Sequence, residues 1–217
     1  NRVMKTVLIV APHADDEVLG TGGAIQKHVN DGDIVHVVIV CNRRGNKTRQ
    51  QGQCVKACLL LGVPATNVYF LNMKDEMLDA NSHDIIKPLE KIYNEVNPSV
   101  VYHCHYDDVN TDHQAVANAC DVITRRLQKN PPDIVLMYEV LSSTTQSTKK
   151  TFKPNLYYKL TSTMLDNKKS AMVVYEGELR EYPNPRCEKG IEVYAMFRGM
   201  EAGCEYAECY QVKYIIQ

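Results

Sequence analysis

Two short stretches hold residues able to bind a metal ion and move protons. The first is Ala11-Pro12-His13-Ala14-Asp15-Asp16-Glu17, with an imidazole and three carboxylates in five residues. Directly before it runs the apolar segment Thr6-Val7-Leu8-Ile9-Val10, and charge beside such a segment is costly unless something compensates it. A divalent cation is one compensation: His13 and Asp16, three apart in a turn, reach a single ion together while Asp15 points elsewhere. The alternative is a solvated acidic turn whose carboxylates meet the positive N-terminal end of the next helix.

The second stretch is Tyr102-His103-Cys104-His105-Tyr106-Asp107-Asp108-Val109-Asn110-Thr111-Asp112-His113, again where an apolar run gives way to helical spacing. His113 opens that helix on the face carrying Ala117, Cys120 and Leu127, so its plain alternative is a buried core histidine. The first and fourth strands of a doubly wound sheet commonly lie side by side, which lets both stretches share one crevice. Three ligands of the His, Asp, His type (His13, Asp16 and His113) with a water completing the sphere make an open catalytic zinc site, one ion per chain.

Positioning these residues requires a parallel sheet. Apolar runs at residues 6–10, 34–40, 68–71, 99–102 and 133–138 read as strands. Helical spacing falls at residues 20–30, 48–61, 84–96 and 115–127, the second stopped by Gly62-Val63-Pro64. Continuous rather than alternating apolar strands, joined by helices, indicate an α/β, doubly wound, mostly parallel sheet with helices on both faces, Rossmann-like in outline. The expectation is one domain over residues 1–217: a core at about 4–140, and a C-terminal part at about 141–217 packed on it. That extension carries helical stretches near 161–175 and 187–200, and a strand near Cys209–Ile215. Ser142 to Lys150 is polar and unpatterned, the mark of an exposed loop or a mobile lid.

Composition narrows the partners. The 217 residues carry 25 basic and 26 acidic side chains, a net charge of −1, which argues against nucleic acid or an anionic membrane surface. No run approaches the ~18 apolar residues of a membrane span. Eight cysteines include no Cys-x-x-Cys pair; the closest two, Cys54 and Cys58, sit a helical turn apart in an apolar run. They read as reduced, mostly buried thiols, and with no leader-like opening they set the expectation of a cytoplasmic setting.

His13-Ala14-Asp15-Asp16-Glu17 after an apolar strand, with Asp112-His113 far along the chain, resembles the PIG-L/LmbE-like family of zinc-dependent N-acetyl-sugar deacetylases. The family pattern there is Ala-His-Pro-Asp-Asp-Glu, and Ala14 stands where proline is usual. Tyr182-Pro183-Asn184-Pro185-Arg186, then Arg198-Gly199, Gly203 and Ala207-Glu208, is similar to the closing segment of one bacterial branch. The resemblance therefore spans the chain. It implies that His13, Asp16 and His113 bind zinc, that Asp15 is the general base, and that an N-acetylglucosamine-like unit, free or nucleotide- or lipid-linked, loses acetate. It also implies self-association, as trimers or hexamers.

Physical chemistry agrees with that division. A carboxylate not tied to the metal can take a proton from the attacking water and return it to the leaving amine. Glu17 then supports the helix N-terminus. Many family members place an oxyanion-stabilising histidine three residues before the last ligand, where this chain has Asn110. Asn110 donates an amide hydrogen bond but supplies no cation, so zinc or His105 is left with the oxyanion. Asp112 reads as an orienting or helix-capping group. For substrate contact the candidates are Arg43, Arg44 and Arg49, suited to an anionic group such as a nucleotide-sugar phosphate, and Tyr138 and Glu139, suited to sugar hydroxyls.

Three other classes compete. Gly20-Thr21-Gly22-Gly23 hints at a dinucleotide-binding dehydrogenase, yet an acidic cluster fills the turn where that fingerprint needs its first glycine. A sugar-binding protein with a structural metal would ordinarily use four ligands, cysteines among them. A two-metal phosphoesterase needs more ligands than the sequence offers.

Overall fold

The computed structural model describes residues 3–42, 45, 47–75, 78 and 83–217. Five strands, β1 (Thr6–Ala11), β2 (Ile34–Asn42), β3 (Val68–Lys74), β4 (Val100–Cys104) and β5 (Ile134–Tyr138), run parallel. Between them lie α1 (Asp16–Asn30), α2 (Lys47–Leu60), α3 (His83–Val96) and α4 (Thr111–Ile123). The chain then adds β6 (Leu156–Leu160), α5 (Ser162–Val173), α6 (Glu188–Ala202) and β7 (Tyr206–Ile215).

All seven strands form one sheet, in the order β3-β2-β1-β4-β5-β7-β6, with β7 antiparallel to both neighbours. Val7, Leu8, Ile9 and Val10 are wholly buried, which is why β1 reads as a continuous apolar run: it has helices on both faces. Helices α1, α2, α5 and α6 pack among themselves, while α3 and α4 pack on each other, as right-handed crossovers require of the two covering layers. The strand order reverses between β1 and β4, so the segments leaving their carboxyl ends open onto one crevice.

Several elements differ from the sequence reading. Helix α1 begins at Asp16, not near Gly20, so both Asp16 and Glu17 lie in its first turn. Gly20 lies against the Tyr138 ring, where an added Cβ has no room, so this glycine serves close packing and not a nucleotide. Helix α4 ends at Ile123, where the Thr124 hydroxyl donates to Cys120 O (2.7 Å). Leu127 therefore lies beyond the helix and is fully exposed, not on its core face. Strand β6, half-buried at the sheet edge, gave no clear apolar pattern.

The C-terminal part does more than pack on the core, because β6 and β7 extend the sheet itself. It also clamps α1. Glu208 of β7 accepts from Gly23 N and Ala24 N (2.9 and 2.8 Å), while Lys168 of α5 donates to Leu19 O (2.9 Å) and to Glu208. Among the described residues no helix is long and apolar enough to cross a membrane.

Candidate metal centre and active site

His13, Asp16 and His113 converge at the switch point, with one ligand atom from each within 4.8 Å of the others. Asp16 Oδ2 is the hub. It lies 3.3 Å from His13 Nδ1 and 3.1 Å from His113 Nε2, and it accepts from His13 N at 3.0 Å. The outward nitrogens are held by carboxylates. His13 Nε2 lies 3.0 Å from Asp112 Oδ2 and 2.9 Å from Asp75 Oδ1, and His113 Nδ1 lies 3.1 Å from Asp108 Oδ2.

This donor set fits a divalent cation. Buried His13 Nδ1 has no hydrogen-bond partner, and a carboxylate on each outward nitrogen turns the other nitrogen's lone pair inward, the usual arrangement behind a metal-bound imidazole. Two nitrogens and one carboxylate oxygen suit zinc with a further position open. Titration reflects the same crowding. Burial alone would depress His13, but Asp112, Asp16 and Asp75 outweigh it and hold the ring at about 10. For His113 the burial penalty is likewise overcome, by the charge of Asp16 and the Asp108 hydrogen bond, leaving it at about 9. Burial would raise Asp16, yet the two histidines pull it well below the ordinary carboxylate range.

Asp15 stands apart from the ligand set. It is fully buried, and its backbone adopts φ 114° and ψ −29°, a left-handed region that non-glycine residues rarely enter, at a cost of about 1–3 kcal/mol. The surroundings impose it: Asp15 N donates to Glu17 Oε2 (2.8 Å), and Asp15 O accepts from Leu19 N (2.9 Å). Its side chain is ion-paired with Arg186. Glu17 also accepts from the Tyr175 hydroxyl, so it braces the first turn of α1 from within.

The cluster lies beneath the surface. Its outermost partners are Arg186 and Asp75, whose side chains are 16% and 15% exposed, so a ligand reaches the centre by displacing one of them.

Other expected residues fall differently. Asn110 is the N-cap of α4, its Oδ1 accepting from Asp112 N (2.9 Å), so it serves the site by starting the helix that carries His113. Asp112 is in the first turn, orienting His13 and not capping. His105 packs on Tyr106 and Phe152, and its Nδ1 accepts from Asp107 N (3.1 Å). That leaves the proton on Nε2, a buried donor with no partner. Burial lowers this imidazole's pKa.

The substrate-contact expectations are overturned where they can be checked. Tyr138 is buried beneath α1 with its hydroxyl donating to Val10 O (2.8 Å), because its position on β5 turns it into the helix layer. Glu139 is committed to a two-pronged pair with Arg198 of α6 (2.8 and 2.9 Å). Arg49 is exposed and paired with Glu176 (3.0 Å). Arg43 and Arg44 lie outside the described residues.

Nor is the segment 142–150 an exposed lid. Ser143, Thr144 and Ser147 are buried. The first two donate to Asp108 Oδ2 (2.9 and 2.7 Å), and Ser147 donates to Asp107. Asp108, Asp75 and Arg186 carry site contacts that the sequence reading missed. For Asp108 a signal existed: a carboxylate five residues before a ligand histidine, in the same strand-to-helix loop.

The comparisons with known proteins agree on family and fold. Residues 8–124 match the family described as PIG-L: GlcNAc-PI de-N-acetylase. A Bacillus cereus protein named "Probable N-acetyl-alpha-D-glucosaminyl L-malate deacetylase 2" is 27% identical over 147 residues, covering 59% of this chain and 65% of that one. The match thus spans just under two-thirds of that relative. The N,N'-diacetylchitobiose deacetylase of Pyrococcus horikoshii shares the fold with a TM-score of 0.78 at 22% identity, over 96% of this chain and 83% of that one. GalB, the 4-carboxy-2-hydroxymuconate hydratase of Pseudomonas putida KT2440, does so with a TM-score of 0.77 at 21% identity, over 97% of each. A deacetylase and a hydratase on one fold mean that the fold alone does not select the reaction. The match over residues 8–124 takes in more than half of the sequence and most of the metal centre, and the chain belongs to the PIG-L family.

Proposed function

We propose that the protein is a zinc-dependent amidohydrolase that removes the acetyl group from an N-acetylated amino sugar of the N-acetylglucosamine type, releasing acetate and the free amine. One observation carries this reading: Asp16 Oδ2 lies between the inward nitrogens of two histidines, beside a second carboxylate, Asp15, that is not part of the ligand set. The Bacillus cereus relative, named for an N-acetylglucosaminyl malate, supports an amino sugar as the substrate class.

Zinc held by His13 Nδ1, Asp16 and His113 Nε2 would supply Lewis-acid activation of water and of the amide carbonyl. Asp15 takes the proton of the attacking water on its carboxylate and delivers it to the amide nitrogen as the C–N bond breaks, one group serving both halves. Asp112 and Asp108 hold the two histidines in the tautomers that face inward. Glu17 fixes the backbone from which Asp15 projects. Arg186 favours the ionised form of Asp15, the form a base requires.

The test measures metal content and acetate release together, on protein purified without added metal, across a panel of N-acetylated sugars and nucleotide-sugars. The expected result is one zinc per chain and acetate from at least one glucosamine-type substrate. Full activity in metal-free protein overturns the zinc assignment. Zinc-loaded protein that releases no acetate from any panel member overturns the reaction.

A further inference from the structure

Glu17 has a second neighbourhood that deacetylation does not use. Cys54 and Cys58 stand one turn apart on α2, both wholly buried, and a ligand atom of each lies within 4.8 Å of the other and of a Glu17 oxygen. Cys54 Sγ is 3.9 Å from Glu17 Oε1, the oxygen to which the Tyr175 hydroxyl also donates. Two thiols and a carboxylate are a donor set for thiophilic cations. With Zn–S of ~2.3 Å and Zn–O of ~2.0 Å, the edges of a tetrahedral site are roughly 3.5–3.8 Å. Closing these three groups onto an ion therefore asks for movements of about 1 Å, within reach of side-chain adjustment on one helix turn.

We propose that Glu17, Cys54 and Cys58 form a second, inhibitory site for a thiophilic divalent cation, distinct from the His13, Asp16 and His113 centre. Binding replaces the two thiol protons, which leave to solvent, and involves no change of oxidation state. Inhibition follows from a shared carboxylate. Glu17 Oε2 holds Asp15 N at 2.8 Å in its left-handed backbone, and drawing Glu17 towards two thiolates loosens that hold. The inhibitory coupling rests on the proposed role of Asp15; the binding does not.

Cadmium is the probe, added to protein already carrying one zinc, and thiolate-to-cadmium charge transfer in the ultraviolet is the readout. The expected result is a band saturating at one equivalent, absent from C54S/C58S. The band persists in C41S, the control for Cys41, which lies beside His13. Cys58→Ser alone is the milder change should the double variant fold poorly; it should roughly halve the band and weaken cadmium binding at least tenfold. No saturable band, or a band unchanged in these Cys54 and Cys58 variants, overturns the site. Acetate release followed in parallel should fall as the band grows, and a full band with undiminished turnover overturns the coupling. Failure of the deacetylase reading shows separately, as absent acetate release before any cadmium is added.

Discussion

Arg186, on the segment between α5 and α6, is ion-paired with Asp15 at the mouth of α1, joining the closing part of the chain to the first catalytic motif. Burial pulls the guanidinium down to about 10, so it stays charged at neutral pH. Arg186→Ala leaves a fully buried carboxylate without this cation, which should cost about 3–5 kcal/mol of stability. Without the cation Asp15 is also harder to ionise, so the acid limb of the kcat/KM profile moves to higher pH. Arg186→Lys should restore part of both. An unshifted acid limb in Arg186→Ala means that Asp15 is not the titrating base.

Asp15 and Asp16 are adjacent and chemically identical, yet their surroundings give them different work. Asp15→Asn keeps shape but takes no proton at neutral pH, so turnover should drop by about 10²–10⁴-fold with zinc retained. Asp16→Asn removes the anionic hub between His13 and His113, so zinc occupancy itself should fall. Zinc content beside acetate release separates the two. The opposite pattern would show the two carboxylates assigned the wrong way round.

The sheet and the metal cluster were legible because both are written locally. An apolar run followed by His13-Ala14-Asp15-Asp16-Glu17 places charge at a strand end, and β1 beside β4 brings Asp112 and His113 to the same edge. Tyr138 and Glu139 were misread because which way a strand-end side chain turns depends on its pleat and on what covers it, here α1 and α6. Arg186 and Asp75 were invisible for another reason. Their contacts with Asp15 and His13 join segments remote in sequence, and no local pattern records where such segments return. The polar run at 142–150 misled because its hydroxyls are spent internally on Asp107 and Asp108, not on water.

Zinc uptake should be strongly coupled to protons. In the metal-free protein His13 and His113 are held at about 10 and about 9, so both are protonated at pH 7 and must lose those protons to bind metal. Calorimetry in buffers of different ionisation enthalpy should register proton release, with affinity rising as pH climbs towards 9 and 10. The sign for stability is opposite. Raised histidines stabilise the metal-free fold fully below their unfolded value of ~6.5, and that contribution is lost as pH rises through about 9 and then about 10. Metal-free Tm should therefore fall across that interval. Zinc affinity that is flat with pH would show the histidines neutral before binding.

Asp108 ties the metal centre to the segment that follows β5. One of its oxygens meets His113 Nδ1 at 3.1 Å and takes the Ser143 and Thr144 hydroxyls, while the other accepts from Asn110 N (2.8 Å). Asp108→Ala strips all of these groups of their acceptor at once. Zinc affinity should fall about 10–100-fold, the usual cost of losing the group that orients a metal-bound histidine. Buried hydroxyls left unpaired should cost a further ~1–3 kcal/mol of stability. The same substitution should open residues 142–150 to limited proteolysis, because their hydroxyl anchors are gone. Asp112→Ala serves as the comparison: it frees His13 Nε2 from one carboxylate but touches no contact of that segment. Chelator competition and proteolysis on both variants should separate the roles, with zinc weakened in both and cleavage raised only in Asp108→Ala. If Asp108→Ala holds zinc as tightly as the parent, His113 is oriented by the α4 backbone alone.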